Sequence, residues 1–277
     1  MLQVSRSGFY DYVSRQSHPV IDAEEVTLLA GVQAIAAQSR SSYGSRRMAR
    51  ALQDEGFQVM SGVGLTLGRY KARRLMKDAG VVVKRRHARK PQTTDSRHGY
   101  GVAPNVLDRQ FDLTKPNIAW AGDLTYVWTQ EGWLYLAVLL DLYSRKVVGW
   151  SLGSRMDVGL VKGALEMAMG RRNPEPGLIH HTDRGSQYAC HGYRDMLSKH
   201  GMVCSMSGKG ECLDNAVAER FFGSLKREWT SYHHYETRQE ARDDIIEYIE
   251  MFYNSNRKHS YLGYLSPNEY EEFDLVP

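Results

Sequence analysis

Three carboxylates are placed where ordinary solvated acids are not. Asp123 sits in the middle of Trp120-Ala121-Gly122-Asp123-Leu124-Thr125-Tyr126. A charge inside an aromatic, apolar strand costs free energy unless it is paired or bound to a metal. Asp183 follows at once on the short segment ending His180-His181-Thr182, and ligand sites favour the carboxyl ends of strands in α/β sheets. Glu219 borders an apolar helical stripe of Ala218, Phe222, Leu225 and Trp229, widened by Phe221, and Lys226 lies two turns further along the same face. Carboxylates from a strand centre, a strand end and a helix can converge on hard cations such as Mg²⁺ or Mn²⁺, which prefer oxygen ligands. Taken singly, each has a structural alternative: a satisfied strand aspartate, a turn residue, or half of a surface ion pair.

Other residues are weaker candidates. Asp141 could be a fourth carboxylate, but its place at a strand end before a turn reads as structural. His180 and His181 could be ligands, yet neutral strand-end histidines are commoner. Gly208-Lys209-Gly210 is not a phosphate-cradling loop, because G-x-x-x-x-G-K-[ST] is absent, and it reads as a mobile loop beside the site. No G-x-S-x-G and no dinucleotide glycine fingerprint is present.

The elements that must hold these residues follow from periodicity. Ile118 to Trp128 alternates and is rich in aromatic and β-branched residues. Trp133 to Leu142 is nearly continuously apolar, as in a buried strand, and Arg145 to Gly153 makes a third strand after a short turn. A helix from the cap candidate Asp157 to about Gly170 follows, then a strand Leu178 to His181, a helix from Ser186 to His200, and a strand Met202 to Met206. A long helix from about Leu213 to Thr230 carries Glu219, and a last amphipathic helix spans about Arg238 to Asn254. The order β-β-β-α-β-α-β-α predicts an antiparallel meander continued by parallel strands through helical crossovers, an α/β mixed five-stranded sheet.

The amino-terminal third is different. Residues 1–20 are polar and mixed. Helices are expected over Glu24 to Ala37, over Ser45 to about Asp54 with Ser45 as cap, and from near Leu67 to Gly80. Arg46, Arg47 and Arg50 fall on the second of these, and Lys71, Arg73 and Arg74 on the third, as in a helix-turn-helix variant that contacts DNA. Lys84, Arg85 and Arg86 open a basic linker suited to tracking phosphates. The net charge of +4 hides this division: residues 1–100 carry 17 Lys and Arg against 8 Asp and Glu, and the remaining 177 carry 19 against 24. Such asymmetry suits a polyanion-binding module joined to an acidic body.

Three cysteines without a C-x-x-C pair argue against a disulfide framework or a zinc ribbon. No run approaches the roughly 20 apolar residues of a membrane span, and no secretory signal layout opens the chain, so a cytoplasmic protein without a membrane partner is expected.

Thirty-five residues separate Asp183 from Glu219, and Lys226 stands seven beyond the glutamate. This spacing resembles the D,D(35)E pattern of retroviral integrases and bacterial insertion-sequence transposases. His181-Thr182-Asp183-Arg184-Gly185-Ser186-Gln187-Tyr188, Asp214-Asn215-Ala216, Tyr253-Asn254, Arg257, His259, Leu262-Gly263-Tyr264 and Ser266-Pro267 resemble the transposases encoded in two overlapping frames, and Tyr43-Gly44-Ser45-Arg46-Arg47 resembles the small module before their core. The resemblance implies a ribonuclease H-like core preceded by a small all-α helix-turn-helix-like domain. The expected division is a helical DNA-binding module over 1–80, a basic linker over 81–110, the catalytic core over 111–232 and a helical extension over 233–277.

The implied activity is metal-dependent cleavage and strand transfer of an insertion sequence by two-metal phosphoryl transfer, with Asp123, Asp183 and Glu219 as catalytic metal ligands and Lys226 steering DNA phosphate. The implied cofactor is a pair of Mg²⁺ ions, with Mn²⁺ as substitute. The implied partners are double-stranded transposon-end and target DNA, a first-frame product or fusion with it, and further copies of the chain in a nucleoid-associated synaptic complex. A DNA-binding regulator with a degenerate core and a plain nuclease on the same fold stay open alternatives.

Overall fold

The computed structural model describes residues 5–17, 23–57, 67–84, 100–208 and 211–273, in two compact units, Met1–Val83 and Lys84–Pro277. Arg85, Arg86 and the loop residues Lys209 and Gly210 lie outside the described residues.

The first unit holds α1 (Arg6–Ser17), α2 (Ala23–Gln38), α3 (Ser45–Asp54) and α4 (Arg69–Asp78). Leu28, Val32 and Ile35 of α2, Met48 and Leu52 of α3, and Ala72 and Leu75 of α4 are buried. Their i, i+3, i+4 spacing is what makes three short helices pack. Gly31 of α2 makes room for Phe57, which follows α3: a Cβ there would stand 2.6 Å from its ring. Two expectations need correction. Residues 1–20 contain a helix, α1, whose described side chains are exposed, so no apolar period marked it. Ser45 is the first residue of α3 rather than its cap; the cap position belongs to Gly44, and no side chain caps the helix.

The second unit is built on β1 (Ala119–Thr129), β2 (Gly132–Asp141), β3 (Val147–Gly153), β4 (Ile179–Thr182) and β5 (Val203–Met206), in the spatial order β3-β2-β1-β4-β5. β1–β2 and β2–β3 pair antiparallel, and β1–β4 and β4–β5 pair parallel. The short turns of the meander and the helical crossovers dictate this arrangement. α5 (Val158–Arg172), capped by Asp157 accepting from the Leu160 N–H at 3.1 Å, packs on one face with α6 (Ser186–Ala189) and α7 (His191–Lys199). α5 lies so close to β3 that a Cβ on Gly149 would run into the Ala164 carbonyl. Cys190, extended at ψ 148, divides what the sequence reads as one helix over 186–200.

α8 (Ala216–Glu228), entered through a 3₁₀ turn at Cys212–Asn215, and α9 (Arg238–Ile246) contact β1 and β2. α9 runs on into a π-helical stretch, Glu247–Tyr253, and α10 (Pro267–Phe273) follows. The widened turn lets Asn254 bond both backbone groups of Val147 on β3, at 2.9 and 3.0 Å.

Residues 100–110 lie against the sheet. Leu107 and Ala103 are buried, and the Val106 and Leu107 N–H groups donate to Ser205 Oγ at 2.9 and 3.2 Å. Among the described residues no helix is long and apolar enough to cross a membrane.

Candidate active site

Parallel pairing aligns Gly122 of β1 with Thr182 of β4, so the next residues, Asp123 within β1 and Asp183 just past the end of β4, come side by side. Neighbouring strands are about 4.8 Å apart. Gly122 permits this approach: a Cβ there would lie 2.9 Å from Leu139, 3.1 Å from Thr182 and 3.2 Å from His180. The Leu124 N–H donates to Asp123 Oδ1 at 2.7 Å, and the Gly185 N–H donates to Asp183 Oδ1 at 2.9 Å. Glu219 is exposed in the first turn of α8, rather than mid-helix, where the helix dipole favours an acid.

Burial, then the negative charges of Asp183 and Glu219, hold the Asp123 carboxyl well above the ordinary carboxylate range; Lys226 opposes this. The structure therefore brings all four sequence candidates into one electrostatic neighbourhood. Lys226 Nζ sits 5.0 Å from the centre of the Tyr126 ring, and burial lowers its pKa against the pull of Asp123. The carboxylates do not form a closed coordination shell: among the described residues no three Asp, Glu, His or Cys groups stand as a ready cation site.

The weaker candidates have structural occupations. Asp141 is wholly buried and accepts from the Asn117 and Tyr143 N–H groups at 2.8 and 2.9 Å and from Arg172 at 3.1 Å. Arg172 also pairs with Glu271 of α10 at 2.6 Å. His181 places its ring nitrogens 2.9 and 3.1 Å from the hydroxyls of Ser205 and Ser207, and His180 Nε2 lies 2.9 Å from the Tyr193 hydroxyl. Burial pushes both imidazoles down to about 4, so both are neutral at pH 7.

His180 makes a pH prediction. The unfolded chain takes up a proton at its ordinary 6.5 and the folded chain not until about 4. Stability is therefore complete above pH 6.5 and falls as pH drops toward 4, by about 3 kcal/mol from this residue. Denaturant unfolding at pH 7 and pH 4.5 checks it: His180→Gln is expected to lose that much less than the parent chain, and equal losses would refute it.

Residues that sequence reasoning did not single out hold the entrance of α8. Asp214 accepts from Arg109 Nε at 2.7 Å, the Gly208 N–H at 2.8 Å and Asn105 Nδ2 at 3.0 Å, and Arg109 also reaches Glu211 at 2.5 Å. Asn215 donates to the Gly122 carbonyl at 3.4 Å, tying the start of α8 to the residue before Asp123. Only the string Asp214-Asn215-Ala216 signalled this in the sequence, since no local pattern pairs Arg109 with a residue 105 positions away.

In the helical unit, Arg46 and Arg73 are exposed, Arg47 lies 5.7 Å from the Tyr43 ring and Lys71 is half-buried. Arg50 pairs with Asp54 at 3.0 Å, and Arg74 with Glu25 at 2.9 Å and Asp78 at 3.8 Å. Lys84, in the second unit, lies 5.0 Å from the Tyr232 ring.

A five-stranded mixed sheet carrying one acid within its central strand, one at the end of the adjacent parallel strand and one on a following helix defines an integrase-type catalytic core. The chain matches the integrase core domain over residues 114–212 and again over 219–275, and an HTH-like domain over 22–89. It is 42% identical to the insertion element IS600 uncharacterized 31 kDa protein of Shigella sonnei, covering 97% of this chain and 95% of that one. It is 38% identical to the transposase InsF for insertion sequence IS3A of Escherichia coli (strain K12), covering 100% and 93%. Its fold is similar to a chain in the cryo-EM structure of a simian T-cell lymphotropic virus intasome in complex with PP2A regulatory subunit B56 gamma, with a TM-score of 0.51 at 14% identity, covering 83% of this chain and 76% of that one. The chain belongs to the insertion-sequence transposases with an integrase core, and is a DNA transposase of the DDE polynucleotidyl transferase class.

Proposed function

We propose that Asp123, Asp183 and Glu219 are the catalytic carboxylates of this transposase and hold its divalent cations. The observation that carries this reading is the Asp123 carboxyl, raised by burial and by two neighbouring acids. Among the described residues no salt bridge neutralises Asp123 or Glu219. A cation relieves such a cluster, and the donor set suits a hard ion: the acids offer only oxygen, and the nearby His181 nitrogens are engaged by serines. Mg²⁺, or Mn²⁺ in its place, as a pair when bound, supplies Lewis-acid activation of the attacking oxygen and stabilisation of the leaving one.

The chain's own residues position the reaction. Backbone N–H groups fix one oxygen each of Asp123 and Asp183, and Glu219, on an exposed turn, has rotamer freedom to complete the set. Lys226 presents a positive charge beside Asp123 for a DNA phosphate. The bonds made and broken are phosphodiester bonds, water cutting first and the freed 3′-hydroxyl joining next, so no protein nucleophile is required.

The supporting parts of the reading are a helical DNA-binding module over 1–80, a linker over 81–110, a core over 111–232 and an extension over 233–277. Arg46, Arg47, Arg50, Lys71, Arg73 and Arg74 contact duplex DNA, with Lys84, Arg85 and Arg86 following its backbone. Arg50 and Arg74 are already ion-paired, so Arg46 and Arg73 contribute the larger share. Copies of the chain assemble on paired DNA ends in the bacterial cytoplasm, with a first-frame product or as a fusion with it.

The test is a strand-transfer assay with labelled transposon-end DNA and a target duplex. Joined product in Mg²⁺ that disappears in EDTA is the expected result. Cutting without joining would replace the transposase mechanism by that of a nuclease. Chemistry seen only with the fused form would assign DNA-end recognition to the first frame.

A further inference from the structure

Two large indoles lie open on the same unit. Trp128 is 55% exposed and Trp133 42%, although the strands that carry them supply the core. They stand directly opposite in the β1–β2 register, edge to face, with ring centres 4.7 Å apart. Tyr126 continues the row, its ring 4.7 Å from that of Trp133, and Lys226 Nζ sits 5.0 Å from Tyr126 on the other side. An aromatic row thus runs from the hairpin tip to Lys226, whose charge interacts with Asp123.

Hairpin stability explains why the two rings meet but not why they are open. A cross-strand aromatic pair stabilises a hairpin only modestly. The hairpin is already fastened by Thr129 Oγ1 donating to the Gly132 carbonyl at 2.7 Å and by the Gln130 N–H donating to the Tyr235 carbonyl at 3.0 Å. Arg238 adds a bond from Nε to the Trp133 carbonyl at 3.1 Å. Edge-to-face packing leaves an indole face available.

We infer that Trp128 and Trp133 form a stacking platform for unpaired bases of the DNA substrate. This rests on the reading of the neighbouring site as a DNA-joining centre. Aromatic faces bind bases of any sequence, and adjacent cations hold the backbone; Lys226 and Arg238 are placed to do so. Duplex DNA hides its base faces in the stack, so the platform selects strands that are already opened. Trp128 lies five positions beyond Asp123 on β1, about 17 Å along the strand axis. The two tryptophans are positioning residues.

The test uses the full chain in EDTA, where binding is measured without chemistry. The probes are a fully paired DNA end and the same end with a five-nucleotide unpaired tract, one version carrying 5-iodouracil in that tract. The parent chain is expected to prefer the unpaired probe about tenfold, Trp128→Ala and Trp133→Ala to abolish the preference, and Trp128→Phe to retain most of it. Photocrosslinks of the parent chain should map to Trp128 or Trp133, an outcome that holds even if the alanine variants fold poorly. Alanine variants that melt normally and keep the preference would overturn the platform, as would variants that lose self-association while keeping it, which would make the patch an interface between copies. A chain that shows the preference but never joins DNA would leave the platform standing and sink the joining mechanism instead.

Discussion

Glu219→Gln is expected to lower strand transfer by about 10³-fold or more while leaving the fold and DNA affinity unchanged. The side chain is exposed on the first turn of α8 and makes no hydrogen bond or salt bridge among the described residues, so its removal disturbs no packing. What it removes is an oxygen donor and a unit of negative charge beside Asp123. Each 1.36 kcal/mol of lost transition-state stabilisation is a tenfold loss of rate, and metal-centred stabilisation is worth several kcal/mol. Comparing single-turnover joining rates with melting temperatures checks both halves. Asp123→Asn offers the complementary signature. Its folded pKa is raised, so stability fully present below the ordinary carboxylate range is lost as pH rises toward the folded pKa, and the cost is complete above it. The neutral amide should therefore abolish joining while raising the melting temperature near pH 7 in EDTA. A substitution that kills chemistry and stabilises the fold points to a functional rather than a structural acid.

Arg257→Met is expected to cost about 3–5 kcal/mol of stability, the largest effect foreseen outside the carboxylates. Burial works against this guanidinium, yet Glu228 overrides it and holds the pKa above its usual value. Arg257 Nε and a terminal nitrogen each lie 2.6 Å from a Glu228 oxygen, and the second also donates to Ser224 Oγ at 3.0 Å. Glu228 and Ser224 both belong to α8, so this one residue anchors the helix that presents Glu219. Removing it takes away the two short charge-assisted bonds that Glu228 receives in a poorly solvated place. Arg257→Lys should recover little, because an ammonium cannot supply the two parallel bonds. Denaturant unfolding measures the loss, and the double variant Arg257→Met with Glu228→Met is expected to regain much of it. A double variant whose cost is the sum of the two single costs would show that no buried pair is broken.

The sheet was legible because its signals are local. Alternation marked β1, the apolar run marked β2, and Asp157 capped α5 as its position suggested. The carboxylates were legible as types and spacing, through the 35-residue gap and the lysine seven residues on. Features set by tertiary packing were not. α1 buries none of its described side chains, Cys190 interrupts a helix whose apolar spacing runs on past it, and the π-helical stretch before Asn254 serves a contact with β3 107 residues away. Trp133 read as core because it begins an apolar run, yet it stands at the hairpin end and is open. The convergence of Asp123 with Asp183 depends on the parallel register of β1 and β4, which no spacing encodes.

The most direct measurement of the central claim is an anomalous difference map at the manganese edge from crystals of the full chain grown with Mn²⁺. The account predicts density between the Asp123 and Asp183 carboxylates, within ligating distance of Glu219 in at least one site, and its loss in Asp183→Asn crystals. Manganese bound only elsewhere, or density unchanged by Asp183→Asn, would contradict it.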